Sequence, residues 1–353
     1  MRNYVLKRLG QAVLVLWAAY TLSYLLLSAL PGDAVTNRVQ NPEAQISPES
    51  AQALLEYYGL DRPLWEQYLG SLIAVFDGDL GFSLTNGTSV TELIGDALPS
   101  TLALTGLALV FGIVVAAVLA IVINYAPWRW LRGVAGSIPA LFGSVPTFVV
   151  GVLALQFLSF GLHLIPSTDD GSFVALLAPA ATLGALISAP LAQVLSTSIA
   201  RVRAMPFVHV LHARGASESY AFRRGVLRNS SLPVLTLLGL ACGELIAGSV
   251  VTEAVYARPG LGQLTVNAVS TQDLPVLQGV VLVATVAYVS VNLVVDLAYP
   301  FIDPRILVEG KTRRVPAARI RRKVPIPVVI GHRETGVVAV PAPRELSLEV
   351  SMP

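Results

Sequence analysis

The sequence predicts an all-α protein that crosses a membrane six times and carries a large outer loop after its first helix. Hydrophobic residues make up 54% of the 353 residues and charged residues only 13%, and the mean hydropathy is +0.67. Soluble domains carry about 25% charged residues. Six apolar stretches are each long enough to cross a bilayer, which takes about 20 residues in a helix. Much of the chain is therefore expected to face lipid.

The first apolar stretch, Leu9–Leu30, follows Arg2, Lys7 and Arg8, as the core of a signal peptide would. However, it is long for a signal-peptide core, and no small-x-small cleavage site follows it directly. We therefore interpret it as a retained helix. The predicted spans are Leu9–Leu30, Thr101–Asn124, Gly136–Phe160, Leu176–Ile199, Leu232–Val255 and Leu277–Phe301.

Lysine and arginine are distributed unevenly between the two sides of these spans. With the N-terminus in the cytoplasm, 21 of the 24 basic residues fall on the inner side, and only Arg38, Arg62 and Arg258 fall on the outer side. Cytoplasmic loops of membrane proteins carry such an excess of basic residues. The pattern predicts a multi-pass protein of the cytoplasmic (plasma) membrane with both termini in the cytoplasm.

The loop after the first span is expected to fold as an extracytoplasmic domain, residues 31–97, because connections of this length seldom lack secondary structure. Ser47-Pro48 has the pattern of an N-cap followed by a first helical proline, and Gly59 is suited to end that helix. A second helix is expected from Asp61. The run Asp77–Gly81 predicts turns. It lacks the further oxygen ligands of a calcium loop, so no metal site is expected there.

A charged segment, residues 201–230, separates the fourth and fifth spans. Ser217 is expected to cap a short helix, with Glu218 favourable in its first turn. Tyr220 follows, and then Arg223 and Arg224. The residues alone leave three interpretations open: a helix anchored at lipid headgroups, a positive-inside loop, or a rigid peg fitted into a partner protein.

Short motifs along the chain add a resemblance. In order they are Leu30-Pro31-Gly32-Asp33, Gly59-Leu60-Asp61-Arg62-Pro63, Gly78-Asp79-Leu80-Gly81, Leu98-Pro99-Ser100-Thr101, Ala213-Arg214-Gly215, Arg228-Asn229, Leu232-Pro233-Val234-Leu235-Thr236, Glu253, Pro259-Gly260-Leu261-Gly262, Asn292-Leu293-Val294-Val295-Asp296 and Asp303-Pro304-Arg305. From residue 1 to about 305 the chain resembles ABC-importer permeases of the dipeptide/oligopeptide/nickel branch. The long spacing between Gly215 and Pro233 is typical of that branch.

The resemblance implies a type I ABC-importer permease fold in the inner membrane of a prokaryote. Residues 1–30 would form the first transmembrane helix with its basic cytoplasmic N-terminus, followed by the outer domain. Residues 98–301 would form a permease core of five transmembrane helices, and residues 302–353 a basic, disordered cytoplasmic tail. The implied activity is import, with peptides as the first expectation and nickel, opines or oligosaccharides as alternatives within the family.

The implied partners are a homologous second permease, two cytoplasmic ABC ATPase subunits, an extracytoplasmic substrate-binding lipoprotein and membrane lipids, without nucleic acid. ATP and Mg would be used by the ATPase subunits. The chain itself is expected to be no enzyme and to bind no cofactor or metal. Gly310-Lys311-Thr312 is similar to the end of a phosphate-binding loop, but Arg305 stands where that loop needs a glycine.

The resemblance also assigns the charged segment to contact with an ATPase subunit. Where the branch usually has an acidic-aromatic-Val-Arg-Thr-Ala run, this chain has Phe207–His212, so the detail of that contact is expected to differ. His209 and His212 lack a third ligand for a metal. The residues expected to couple to the ATPase are Ala213, Arg214, Gly215, Ala216, Ser217, Glu218, Tyr220, Arg223 and Arg224.

Two acidic residues of the spans are candidates for the substrate pathway. Glu244 lies near the middle of the fifth span, where a charge is costly unless it faces a cavity or a partner. It would either meet a cationic group of the substrate or form a hydrogen bond between helices. Asp296 lies nearer the end of its span and matches the family, which favours a structural partner.

Two other classes of protein are weighed against the importer. An ion-coupled secondary transporter usually shows paired intramembrane charges or a repeat between halves, and neither is evident here. An intramembrane hydrolase needs a nucleophile and a base, but all four histidines lie outside the predicted spans. Both alternatives are disfavoured.

Overall fold

The computed structural model describes residues 2–29, 48–57, 59 and 61–302. The side chains of residues 2–5, 48, 51, 54 and 295–302 are not included. The Leu30–Asp33 motif, the predicted cap Ser47 and the tail from residue 303 onward lie outside the described residues.

Regular structure in the described ranges is helical except for one isolated β-bridge between Phe82 and Ser89. The all-α prediction is therefore confirmed. A π-helical turn, Leu155–Gly161, continues the helix Thr147–Ala154. A second one, Phe222–Val226, lies between the short helices Glu218–Ala221 and Leu227–Ser230. The α-helices are α1 (Arg2–Ser28), α2 (Pro48–Tyr57), α3 (Leu64–Phe76), α4 (Val90–Tyr125), α5 (Arg129–Ser144), α6 (Thr147–Ala154), α7 (Phe173–Arg203), α8 (Pro206–Ala213), α9 (Glu218–Ala221), α10 (Leu227–Ser230), α11 (Leu232–Val255), α12 (Leu261–Ser270) and α13 (Leu274–Ile302).

The third predicted span is a bent pair of helices. Helices α5 and α6, the latter with its π-helical turn, meet at an angle of 103°, so the described chain has five long apolar helices, or six spans if the pair is one. The break falls at Pro146, where Val145 is extended (φ −101°, ψ 126°). A proline disfavours the helical conformation of the residue before it. The sequence placed a single helix over Gly136–Phe160, and this proline divides it.

Helices α2 and α3, in the connection after the first span, were both predicted. Helix α2 is followed by Gly59 with φ +67°, a conformation that glycine adopts without steric cost. Helix α3 begins at Leu64 rather than at Asp61, because Pro63 takes the N-cap position. The side chain of Tyr68 on α3 lies 2.7 Å from the Thr21 hydroxyl on α1, and this contact joins α3 to the first span.

The core is built around the pair α4 and α7. At the crossing, a Cβ added to Gly112 would overlap Ile187 and the backbone of Gly184. A Cβ added to Gly184 would overlap the carbonyl oxygen of Ala108. Small residues allow such close approach of helix backbones within membranes. The two helices therefore form a tight unit, against which α5 and α11 also pack.

Candidate functional site

The charged segment folds into short helices at one end of the α4–α7 unit. Helix α8 ends at Ala213, and the chain then turns at Gly215, whose φ of +81° suits glycine. The Ser217 hydroxyl accepts a hydrogen bond of 3.3 Å from the Tyr220 amide, so the predicted cap of this helix is confirmed. A helix running from Glu218 through the π-helical turn to Ser230 leads into α11.

One side of the charged segment is open to solvent. The Tyr220 side chain is 53% exposed, and Arg214, Arg223 and Arg224 are exposed as well. Arg223 donates a hydrogen bond of 3.0 Å to the Ser219 hydroxyl, which orients its guanidinium along the helix. An aromatic ring beside arginines is a composition enriched in protein interfaces.

The opposite side of the segment is buried against the helix bundle. Val226 and Val208 are almost fully buried in a cluster with Ile199 and Val202 of α7 and Ala120 of α4. The segment is therefore fixed to the bundle by an apolar contact rather than suspended as a mobile loop.

Arg203, the last residue of α7, adds the polar part of this attachment. It donates a hydrogen bond of 2.5 Å to the Asn124 carbonyl on α4, and it lies 3.5 Å from the Glu218 carboxylate. Its guanidinium also lies 4.2 Å from the centre of the Tyr125 ring. Tyr125 in turn contacts Phe222 edge to face, with ring centres 5.3 Å apart. One arginine thus joins α4, α7 and the charged segment.

Sequence reasoning placed Glu218 in the site but missed Arg203, Asn124 and Tyr125. Arg203 was counted only as one of the inner basic residues, because its partners lie far away along the chain. One sequence pattern could have indicated them. Asn124 and Tyr125 end one long apolar run, and Arg203 follows the end of a later one. His212 lies 3.6 Å from Glu218, and the described chain contains no group of three or more potential metal ligands.

Glu244 lies on a face of α11 that the described residues leave exposed. Among the described residues it has no hydrogen bond or ion pair, and its neighbours Gly243 and Gly248 face Tyr288 of α13 and Leu183 of α7. The exposed positions recur at spacings of three and four, which places them on one side of the helix. They are Pro233, Thr236, Leu240, Glu244, Ala247, Val251 and Ala254. The side chain of Asp296 lies outside the described residues.

The other end of the bundle holds two buried polar contacts. Arg258 and Asp169 form an ion pair at 3.0 Å with both side chains largely buried. Beside it, hydrogen bonds from the Ser172 side chain and amide lower the pKa of the Asp170 carboxyl from its ordinary value. Glu253 is fully buried and accepts a hydrogen bond of 2.7 Å from the Thr101 hydroxyl. No sequence pattern indicated the partner of Asp169.

This architecture defines a class of protein: a polytopic helical membrane protein with a short helical segment fixed at one end of its spans. The fold matches a chain of the inward-facing MetNI methionine ABC transporter, with a TM-score of 0.51 and 16% sequence identity, over 60% of this chain and 96% of that one. At this identity the likeness shows the fold alone.

Sequence comparison identifies the family. Residues 108–308 match the model of the binding-protein-dependent transport system inner membrane component, and residues 1–105 match that of its N-terminal part. The glutathione transport system permease protein GsiC of Escherichia coli strain K12 is 32% identical over 87% of this chain and 99% of its own length. GsiC of Salmonella choleraesuis is 33% identical over the same shares. The chain belongs to this family of ABC-importer permeases.

Proposed function

We propose that this chain forms one half of the pathway of an ATP-driven importer and that its charged segment receives motion from a cytoplasmic ATPase subunit. The observation that carries the proposal is the two-sided character of the segment. Its exposed side presents Tyr220, Arg223 and Arg224, and its buried side is joined to α4 and α7. A contact with this geometry transmits a displacement because the packed interior resists deformation.

Family membership supports the proposed assembly. A homologous second permease completes the pathway, two ATPase subunits bind beneath it and use ATP and Mg, and a substrate-binding lipoprotein delivers the solute from outside. Both termini and the charged segment lie in the cytoplasm in this arrangement, which agrees with the basic residues on that side. The chain supplies no ATPase site, and its coupling residues are those named in the sequence analysis, from Ala213 to Arg224.

Small peptides are the proposed substrates. The relatives are named for glutathione transport, and glutathione is a peptide. The exposed face of α11, with one carboxylate at Glu244, supports a pathway wall on this helix. In this proposal the Glu244 carboxylate meets the ammonium group of a peptide as it passes. The Glu244 side chain has no hydrogen-bond or ion-pair partner among the described residues, which favours the pathway over a hydrogen bond between helices of this chain.

The coupling role is tested by reversing the charges on the exposed side of the segment. The pair Arg223→Glu and Arg224→Glu is expected to abolish co-purification with the ATPase subunits and to reduce ATP-driven peptide uptake by at least about tenfold, since wrongly matched charges cost several kcal/mol at an interface. Uptake and ATP hydrolysis are measured in proteoliposomes that contain all partners.

The matched control replaces the same two residues by lysine, which keeps the charge and is expected to retain most of the uptake. Unchanged uptake by the glutamate pair would contradict the assignment of the segment to the ATPase. Because both side chains are exposed, neither change disturbs the core of the chain.

A further inference from the structure

Glu253 is a buried carboxylate with a complete set of hydrogen-bond donors. It lies on α11 with no exposed surface. One oxygen, Oε1, accepts from the Thr101 hydroxyl of α4 at 2.7 Å. The other oxygen, Oε2, accepts from the backbone amides of Gly262 and Gln263 in α12, at 2.7 and 3.4 Å. A buried charge is tolerated when it is satisfied in this way.

Thr101 has a second contact at the same place. Its hydroxyl oxygen accepts a hydrogen bond of 2.8 Å from the Leu261 amide. The first amides of a helix have no acceptor inside their own helix. The N-cap residue of α12 is Gly260, which has no side chain to serve as an acceptor. Helix α12 therefore depends on side chains of two other helices to satisfy its first turn.

The two glycines of this turn are required by the close approach. A Cβ added to Gly260 would overlap the Glu253 carboxylate, and a Cβ added to Gly262 would overlap the backbone of Val250. The carboxylate thus lies directly against the start of α12. We call Thr101, Glu253 and the amides of residues 261–263 the outer latch.

Thr101 of the outer latch lies on α4, the helix to which the charged segment is attached. Helix α4 carries Thr101 about a third of the way along its length and Asn124 and Tyr125 at its C-terminal end. At 1.5 Å of rise per residue, Thr101 and Asn124 are about 35 Å apart along the axis. Arg203 holds the second point to α7 and to Glu218. A continuous helix therefore connects the charged segment to the outer latch.

We propose that Thr101 and Glu253 are positioning residues that fasten α12 to the outer part of α4, so that α12 moves with α4 when the importer changes state. This inference rests on the proposed role of the charged segment. In it, α12 is the outer element that responds to the ATPase subunits, and the outer latch transmits the displacement. Neither residue touches the solute.

The first test measures a distance in the assembled transporter, reconstituted with the second permease and the ATPase subunits. Spin labels are placed at Val110 of α4 and Val266 of α12, both of which have exposed side chains, after Cys242→Ala removes the one native cysteine. The expected distance is the same in the nucleotide-free and ATP-trapped states. This test leaves the latch residues unmutated. A distance that changes between the two states would overturn the proposal.

The second test breaks the latch. Thr101→Val is expected to broaden the Val110–Val266 distance and to lower peptide uptake per ATP hydrolysed by about tenfold, as expected when hydrogen bonds to a charged group are lost. Thr101→Ser keeps the hydroxyl and is expected to restore both values. The matched control is Thr105→Val, because among the described residues the Thr105 hydroxyl donates only within α4, to the Thr101 and Leu102 carbonyls.

If Thr101 only stabilised the fold, Thr101→Val would lower uptake and ATP hydrolysis equally and leave the peptide uptake per ATP unchanged. That result would refute the role of Thr101 as a positioning residue. The two proposals fail separately. If the Val110–Val266 distance stays constant but the Arg223→Glu, Arg224→Glu variant still couples ATP hydrolysis to uptake, the proposed role of the charged segment is wrong. The fastening of α12 to α4 then stands. If the Val110–Val266 distance changes between states and that variant loses the coupling, only the proposed role of the outer latch is wrong.

Discussion

Three carboxylates of this chain have different surroundings, and their surroundings indicate different roles. Asp169 is paired with Arg258 at 3.0 Å, and Glu253 accepts hydrogen bonds from two helices. Both are buried, so both have the partners that burial demands. Glu244 is exposed on α11 and has no such partner among the described residues. A carboxylate in the middle of an apolar helix is costly in lipid, which favours a wet pathway beside it.

Replacing this carboxylate tests its proposed contact with substrate. Glu244→Gln keeps the size of the side chain and removes its charge. Uptake of peptides with a free ammonium group is expected to fall by about tenfold, the loss of one charge-assisted contact, whereas uptake of N-acetylated peptides is expected to be unchanged. Competition uptake in proteoliposomes measures both. An equal loss for both classes of peptide would contradict a role in the pathway.

At the scale of elements, the attachment of the charged segment to α4 depends on Arg203. Its ion pair with Glu218 is weak, because Glu218 is 59% exposed and exposed pairs contribute about 0.2–1 kcal/mol. Its hydrogen bond to the Asn124 carbonyl is partly buried and is expected to contribute more, about 1.5–3 kcal/mol. The contact with α4 is therefore the stronger of the two.

Arg203→Ala is expected to separate the motion of the charged segment from α4. ATP hydrolysis by the assembled transporter would continue but would no longer rise when substrate-loaded binding protein is added. The measurement is ATPase activity in proteoliposomes with and without that protein. Arg201→Ala is the matched control, since Arg201 is exposed in the same last turn of α7. Identical behaviour of the two variants would contradict the role of Arg203.

At the scale of the whole molecule, the described chain is a bundle whose exposed surface is strongly apolar. Exposed side chains include Val110, Val114 and Val118 on α4 and Leu240 and Val251 on α11. Lipid covers part of this surface, and we propose that the second permease lies opposite the face of α11, across the substrate pathway. A permease subunit of this kind depends on separate ATPase subunits, so we expect the purified chain alone to be inactive in transport.

The purified chain in liposomes is expected to move no peptide along a proton or sodium gradient. Adding the second permease, the ATPase subunits, the binding protein and ATP is expected to start uptake. Peptide accumulation inside the liposomes is the measurement. Gradient-driven uptake by the chain alone would mean a secondary transporter and would end the proposal that the charged segment receives motion from a motor.

Much of this protein was determined by local patterns in the sequence. Long apolar runs can satisfy their backbone groups in lipid only as helices. Four of the six predicted spans accordingly lie within single helices, and α1 contains the first span as far as Ser28. The cap at Ser217 and the turn at Gly59 depend on neighbouring residues and were predicted as well. The order of motifs was sufficient to indicate the family.

Only the tertiary structure decided which distant residues meet. It brought Arg203 to Asn124 and Thr101 to Glu253, pairs separated by 79 and 152 residues. It also decided that Pro146 divides the third span, whereas Pro139 remains inside a helix. The physical reason is that periodicity and caps are set by near neighbours, whereas a hydrogen bond between helices depends on the rotation and approach of both.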